Sequence, residues 1–137
     1  MHHGSDLLEM GIIVSDPRAL TWPSRKLREA IIKRGMSCRV IGVNLLKSTI
    51  SREGSQIFYR DIPLIGRMSG AILRSFGGGS CDQLTYKISA LEHMEMSGIT
   101  LMNRVYPTRR AKDKYSALVY LSMNSIPVPK TCLLYTS

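Results

Sequence analysis

Seven consecutive residues, Arg74-Ser75-Phe76-Gly77-Gly78-Gly79-Ser80, hold the densest binding chemistry in the sequence. Glycines let a backbone approach a ligand closely. Ser80 is a residue type that caps helices, and the N–H groups of a helix start suit an anion. Arg74 can clamp a carboxylate or a phosphate. No Gly-Lys-Ser/Thr follows, so this is not a Walker loop, and nothing after Gly79 completes a dinucleotide fingerprint. A plain strand-to-helix turn is the competing reading. A second cluster is Arg109, Arg110, Lys112 and Lys114, in the first turns of a predicted helix, where cations oppose the macrodipole. These cations either meet an anion such as a nucleotide phosphate or stand on a solvated face. Asp113 is placed to offset Arg109 or Arg110. A third group, Ser24 and Arg25, opens an earlier helix: Arg25 either meets a substrate carboxylate there or belongs to an ordinary capped helix start.

The remaining chemistry is sparse. His93 is read as a structural residue in mid-helix, without a partner. Cys38, Cys81 and Cys132 are odd in number and far apart, with no Cys-x-x-Cys pair, which fits reduced thiols. The eight methionines are scattered as core filler. No Ser/His/Asp set or metal-ligand cluster can be assembled, and carboxylates are too few for a magnesium site.

The elements that must position these residues alternate. Residues 10–15 are an apolar run of strand length, closed by Asp16-Pro17. Residues 24–34 carry a helical stripe, Leu27, Ala30 and Ile31, with Gly35 as the stop. Residues 39–43 form a second strand. Residues 44–54 are polar and predicted as loop, 56–60 as a short edge strand that Pro63 cuts off. Residues 71–75 form a third main strand. A helix runs from Ser80 to about Ser97 with Leu84, Ile88 and Leu91 inward, and Gly98 ends it. Residues 99–103 are a fourth strand. Pro107-Thr108 opens a last helix with Tyr115, Leu118 and Val119 on one face, ended by Pro127 and Pro129.

Strands alternating with helices predict an α/β fold: a Rossmann-like, mainly parallel sheet flanked by helices. The simplest order places the second strand on one side of the first, and the third and fourth on the other. The switch point then lies between the first and third main strands, and ligands of such sheets bind there, beyond the carboxyl ends. The loops 16–24 and 75–80 meet at that rim.

Bulk properties narrow the class. The chain has 137 residues, 44% hydrophobic and 21% charged, enough for one domain with its own core. No apolar run reaches the roughly 18–20 residues that span a bilayer, and no secretory signal is visible, so a cytoplasmic location without membrane contact is expected. The net charge of +9 suits nucleic acid, anionic membrane, or small polyanions such as ATP and acidic metabolites. The charge is dispersed and only 7% of residues are aromatic, which leaves nucleic acid a minority reading. Residues 1–9, with His2 and His3, are read as an N-terminal extension or tag remnant. Residues 132–137 are read as an adapter-derived tail.

Three stretches together resemble one family. Residues 24–41, Ser-Arg-Lys-Leu-Arg-Glu-Ala-Ile-Ile-Lys-Arg-Gly-Met-Ser-Cys-Arg-Val-Ile, are similar to the first helix and second strand of RimK-type ATP-grasp ligases. Residues 72–80 resemble the strand and glycine turn of the archaeal, glutamate-adding members. Residues 99–103, Arg110-Ala-Lys-Asp-Lys-Tyr115 and Ile126-Pro-Val-Pro-Lys-Thr131 resemble the next strand, helix and hinge. The resemblance implies a pre-ATP-grasp domain over residues 10–104 and the start of a truncated ATP-grasp domain over 105–131. It implies a carboxylate–amine ligase that activates a carboxylate with ATP and Mg²⁺ as an acyl phosphate, which an amine then attacks. Its substrate is an acidic small molecule or a carrier protein, and the parent enzyme can be oligomeric. By the same resemblance Lys114 reaches the nucleotide phosphates, while Ser24, Arg25, Arg74, Gly77, Gly78, Gly79 and Ser80 lie on the substrate rim. Two features depart from the family. Asn103 is followed by Arg104-Val105 rather than proline, and the glycine-rich lid, second nucleotide lysine and magnesium ligands have no counterparts. The 137-residue chain is therefore expected to lack ligase activity. A stand-alone Rossmann-like module for a nucleotide or acidic metabolite is the alternative, with a basic nucleic-acid adaptor behind it.

Overall fold

A computed structural model describes residues 9–134. The readings of residues 1–8 and 135–137 lie outside the described residues. The chain divides into two compact units, Met1–Val105 and Tyr106–Ser137.

The first unit is built on β1 (Glu9–Val14), β2 (Ser37–Gly42), β6 (Met68–Leu73) and β7 (Thr100–Met102), in the order β2-β1-β6-β7 with every pair parallel. This is the expected order. β1 starts at Glu9, one residue earlier than its apolar run. The Glu9 carboxylate is nearly buried and pairs with Arg39 on β2, so a charge begins the strand without being left alone. β1 is central, and period-2 alternation sends its side chains to both faces. Ile12 and Val14 pack with Ile31 of α1 (Trp22–Lys33). Ile13 packs with Ile41, Leu73, Leu91 and Met94, the last two from α2 (Cys81–Met96). A strand covered on both faces needs an unbroken apolar run, as Gly11-Ile-Ile-Val14 supplies.

Between β2 and β6 the structure corrects the sequence. Residues 44–54 are not a loop: a 3-10 turn, Val43–Leu45, leads into β3 (Leu46–Ser51). β3 pairs antiparallel with β4 (Gly54–Tyr59), which pairs with the two-residue β5 (Ile62–Pro63). Hence β4 is the centre of a three-stranded sheet and not an edge. Pro63 is tolerated because it sits in the short edge strand opposite Phe58. β3 was hidden because only Leu46 of its six residues is buried, which leaves no alternating pattern to read. Two side chains of α2 reach this sheet. Tyr86 Oη donates to Leu46 O, and His93 Nε2 lies 2.8 Å from Ser55 Oγ. His93 therefore has a partner, contrary to expectation.

The second unit holds most of α3 (Val105–Lys112) and all of α4 (Lys114–Met123). One continuous helix was expected. Asp113 interrupts it with extended backbone, φ −79° and ψ 95°, and its carboxylate accepts from Ser116 N at 3.1 Å and Ser116 Oγ at 2.6 Å. Asp113 is thus a helix cap. Arg110 is met by aromatic rings instead of by Asp113: its guanidinium lies 3.4 Å from the Tyr120 ring centre and donates to Tyr106 Oη at 2.8 Å. On α4, Leu118 is half-buried while Tyr115 and Val119 are exposed. No helix among the described residues is long and apolar enough to cross a membrane.

Candidate functional site

The sheet presents its switch point at the carboxyl ends of β1 and β6, which are neighbours. The chain leaving β6 is tied down first. Arg74 N and Ser75 N both donate to Ile13 O, at 3.0 and 3.3 Å. Ser15 N donates to Ser75 Oγ at 3.3 Å, and the two hydroxyls lie 3.4 Å apart. The segments leaving β1 and β6 therefore meet at Ser15 and Ser75. Phe76 is buried below them. Gly77 has φ +69°, and a Cβ there would stand 2.9 Å from Ser15 Cβ, so only glycine makes this turn. At Gly78 an added Cβ would meet nothing within 4 Å.

Ser80 then starts α2 with a reciprocal cap: Gln83 N donates to Ser80 Oγ at 3.3 Å, and Ser80 N donates to Gln83 Oε1 at 3.1 Å. Two turns into the helix, Lys87 is only 7% exposed, and its Nζ donates to Gly78 O at 2.7 Å. Sequence reasoning missed Lys87. The available signal was its position on the 87-90-91-94 stripe, whose other members, Ala90, Leu91 and Met94, are core residues. A cavity of about 620 Å³ opens here, lined by Asn44, Gly78, Asp82, Gln83, Tyr86 and Lys87. That volume falls within the range of small-molecule sites.

The other expected site residues are placed as follows. Arg74 is exposed at the strand end. α1 begins at Trp22, two residues before Ser24, so Ser24 lies inside the helix, 2% exposed, with its hydroxyl 3.1 Å from Thr21 Oγ1. Arg25 is exposed and donates to Leu20 O at 3.0 Å. Earlier in that loop the Asp16 carboxyl is held below its ordinary pKa, first by the Arg18 backbone N–H and then by the Arg18 guanidinium. Lys114 is exposed at the first position of α4, in the second unit. The structure thus brings Gly77 and Gly78 to Lys87, while Gly79 and Ser80 adjoin Gln83 at the start of α2 and Arg74 precedes the turn. Cys38, Cys81 and Cys132 are free, and burial pushes the Cys38 thiol up from its ordinary pKa.

Among the described residues no group of three His, Cys, Asp or Glu side chains can hold a metal ion.

No family model matches the chain. It is similar in sequence to proteins named alpha-L-glutamate ligase. The tetrahydromethanopterin:alpha-L-glutamate ligase of Methanosarcina acetivorans is 26% identical over 126 residues, 90% of this chain and 38% of that protein. A probable alpha-L-glutamate ligase of Syntrophotalea carbinolica is 29% identical over 130 residues, 95% of this chain and 41% of its own length. One from Pseudomonas syringae pv. tomato is 29% identical over 124 residues, 90% of this chain and 39% of its own. The chain spans about two fifths of the curated relatives it matches.

Proposed function

We propose that this chain is the substrate-side, N-terminal part of an ATP-dependent carboxylate–amine ligase that adds glutamate. In this reading residues 10–104 are a pre-ATP-grasp domain and residues 105–131 begin the ATP-grasp domain. The observation that carries it is the glycine turn at the switch point, on the capped start of α2 and held by buried Lys87. That geometry suits an acidic ligand, and the matched relatives bear the name of glutamate ligases. ATP would supply the phosphoryl group that activates a carboxylate for attack by an amine.

This chain's own residues would bind and orient. The glycine turn would offer backbone at close range, Arg74 an exposed positive charge at the rim, and Lys87 a buried one beneath it. Lys114 would face nucleotide phosphates once the rest of the ATP-grasp domain is present.

Two measurements test the proposal. Genomic DNA downstream of the Thr131 codon is expected to continue into a glycine-rich lid and acidic metal ligands; a genuine stop codon there overturns the reading. The purified 137-residue chain, given ATP, Mg²⁺ and glutamate, is expected to release no ADP, and sustained release contradicts the assignment of a partial enzyme.

A further inference from the structure

We infer that the cavity beside the glycine turn is a carboxylate-binding site and that Lys87 is its anchor. The inference rests on the ligase reading for the class of ligand, a small acidic molecule, and on the structure for the place.

Lys87 is the decisive residue. Its side chain is almost wholly buried, and its ammonium donates to a neutral carbonyl, Gly78 O. Among the described residues it forms no ion pair; the salt bridges join Arg18 to Asp16, Lys26 to Glu29, Arg39 to Glu9 and Arg104 to Glu95. A buried cation that makes no ion pair is costly, and an anion bound beside it lowers that cost. A hook for the turn needs one donor; an ammonium carries three.

The walls match a small acid. Asn44, Gln83 and Tyr86 line the cavity. The Tyr86 hydroxyl hydrogen is already given to Leu46 O and Gln83 Oε1 already accepts from Ser80 N, which leaves the side-chain amide N–H groups of Asn44 and Gln83 as the neutral donors of the wall. The open side of Gly78 leaves backbone accessible, and the capped start of α2 adds a positive dipole end. Asp82 also lines the cavity, and its negative charge sets an upper limit on the charge of the guest. A singly charged carboxylate head therefore suits the site better than a phosphate dianion.

The test titrates the 137-residue chain with glutarate, L-glutamate and inorganic phosphate at fixed ionic strength, followed by amide NMR and calorimetry. A carboxylate is expected to bind saturably and to shift the Gly78 and Gln83 signals. Lys87→Gln keeps a donor for Gly78 O but removes the charge. It is expected to weaken carboxylate binding about 10-fold or more, the scale of a lost charged hydrogen bond, with melting temperature little changed. Gly78→Asp, at a position with space for a side chain, is expected to weaken it similarly. Carboxylate binding untouched by both variants, or a response to phosphate alone, overturns the inference. No saturable binding by the unaltered chain also overturns it, while leaving the ligase reading to the downstream DNA.

Discussion

Gly77 and Gly78 are neighbours that make opposite demands on a side chain. At Gly77 the positive φ costs an L-residue about 1–2 kcal/mol, and the added Cβ would press on Ser15 Cβ at 2.9 Å. Gly77→Ala is therefore expected to destabilise the first unit by roughly 2–3 kcal/mol in urea unfolding. Gly78→Ala meets open space and no positive-φ strain, so its effect is expected within about 0.5 kcal/mol of zero, or slightly stabilising. Equal losses at both positions would show that the turn is not held as described. The contrast matters for function because Gly77 fixes the path of the loop, whereas Gly78 leaves the cavity wall bare. The run of three glycines is plain in the sequence, but which of them the backbone requires depends on Ser15, sixty-two residues away from Gly77.

Asp113 sets the boundary between α3 and α4, and it makes α4 sensitive to acid. Its carboxyl is held below the ordinary 3.8, first by the Ser116 hydroxyl and then by the Ser116 backbone N–H. A carboxylate with a depressed folded-state pKa lends stability that is present above the unfolded value and lost as pH falls through the folded one. The start of α4 is therefore expected to loosen below about pH 4, read from the Ser116 amide and Cα shifts. Asp113→Asn, which still accepts a hydrogen bond, is expected to flatten that dependence; an unchanged pH profile in the variant would refute the cap. The main elements of the parallel sheet and both long helices were legible, because β1 is apolar from Met10 to Val14 and α1 carries a helical stripe. The break at Asp113 was not legible, because a cap and a mid-helix acid look alike until the next turn is placed. β3 was not legible either, since five of its six residues face solvent and its stability comes from pairing with β4. Lys87 was obscured by the opposite problem, a charged residue lying where the helical stripe calls for an apolar one.

The two units differ in what holds them. In the first, Ile12, Ile13, Ile41, Leu73, Leu91 and Met94 are all fully buried or nearly so, on both faces of one sheet. In the second, α4 has no buried residue, and Tyr120, Leu121 and Met123 remain exposed. Helices of eight and ten residues are marginal without a packed face, because nucleation is unfavourable and few hydrogen bonds follow it. Arg110 between Tyr106 and Tyr120 supplies a link between α3 and α4 worth about 0.5–1 kcal/mol when exposed, too little to hold both helices closed. Native-state hydrogen exchange is therefore expected to be uneven. Amides of β1 and β6 should open only with global unfolding, while those of α4 should exchange faster by at least two orders of magnitude through local opening. Arg110→Ala should speed exchange in α4 further and leave β1 unchanged. Equal protection of α4 and β1 would mean that the second unit has a source of stability beyond these contacts. Under the proposed ligase reading, this difference would give an acidic substrate a site already shaped on the sheet and leave Lys114 on a helix with few contacts of its own.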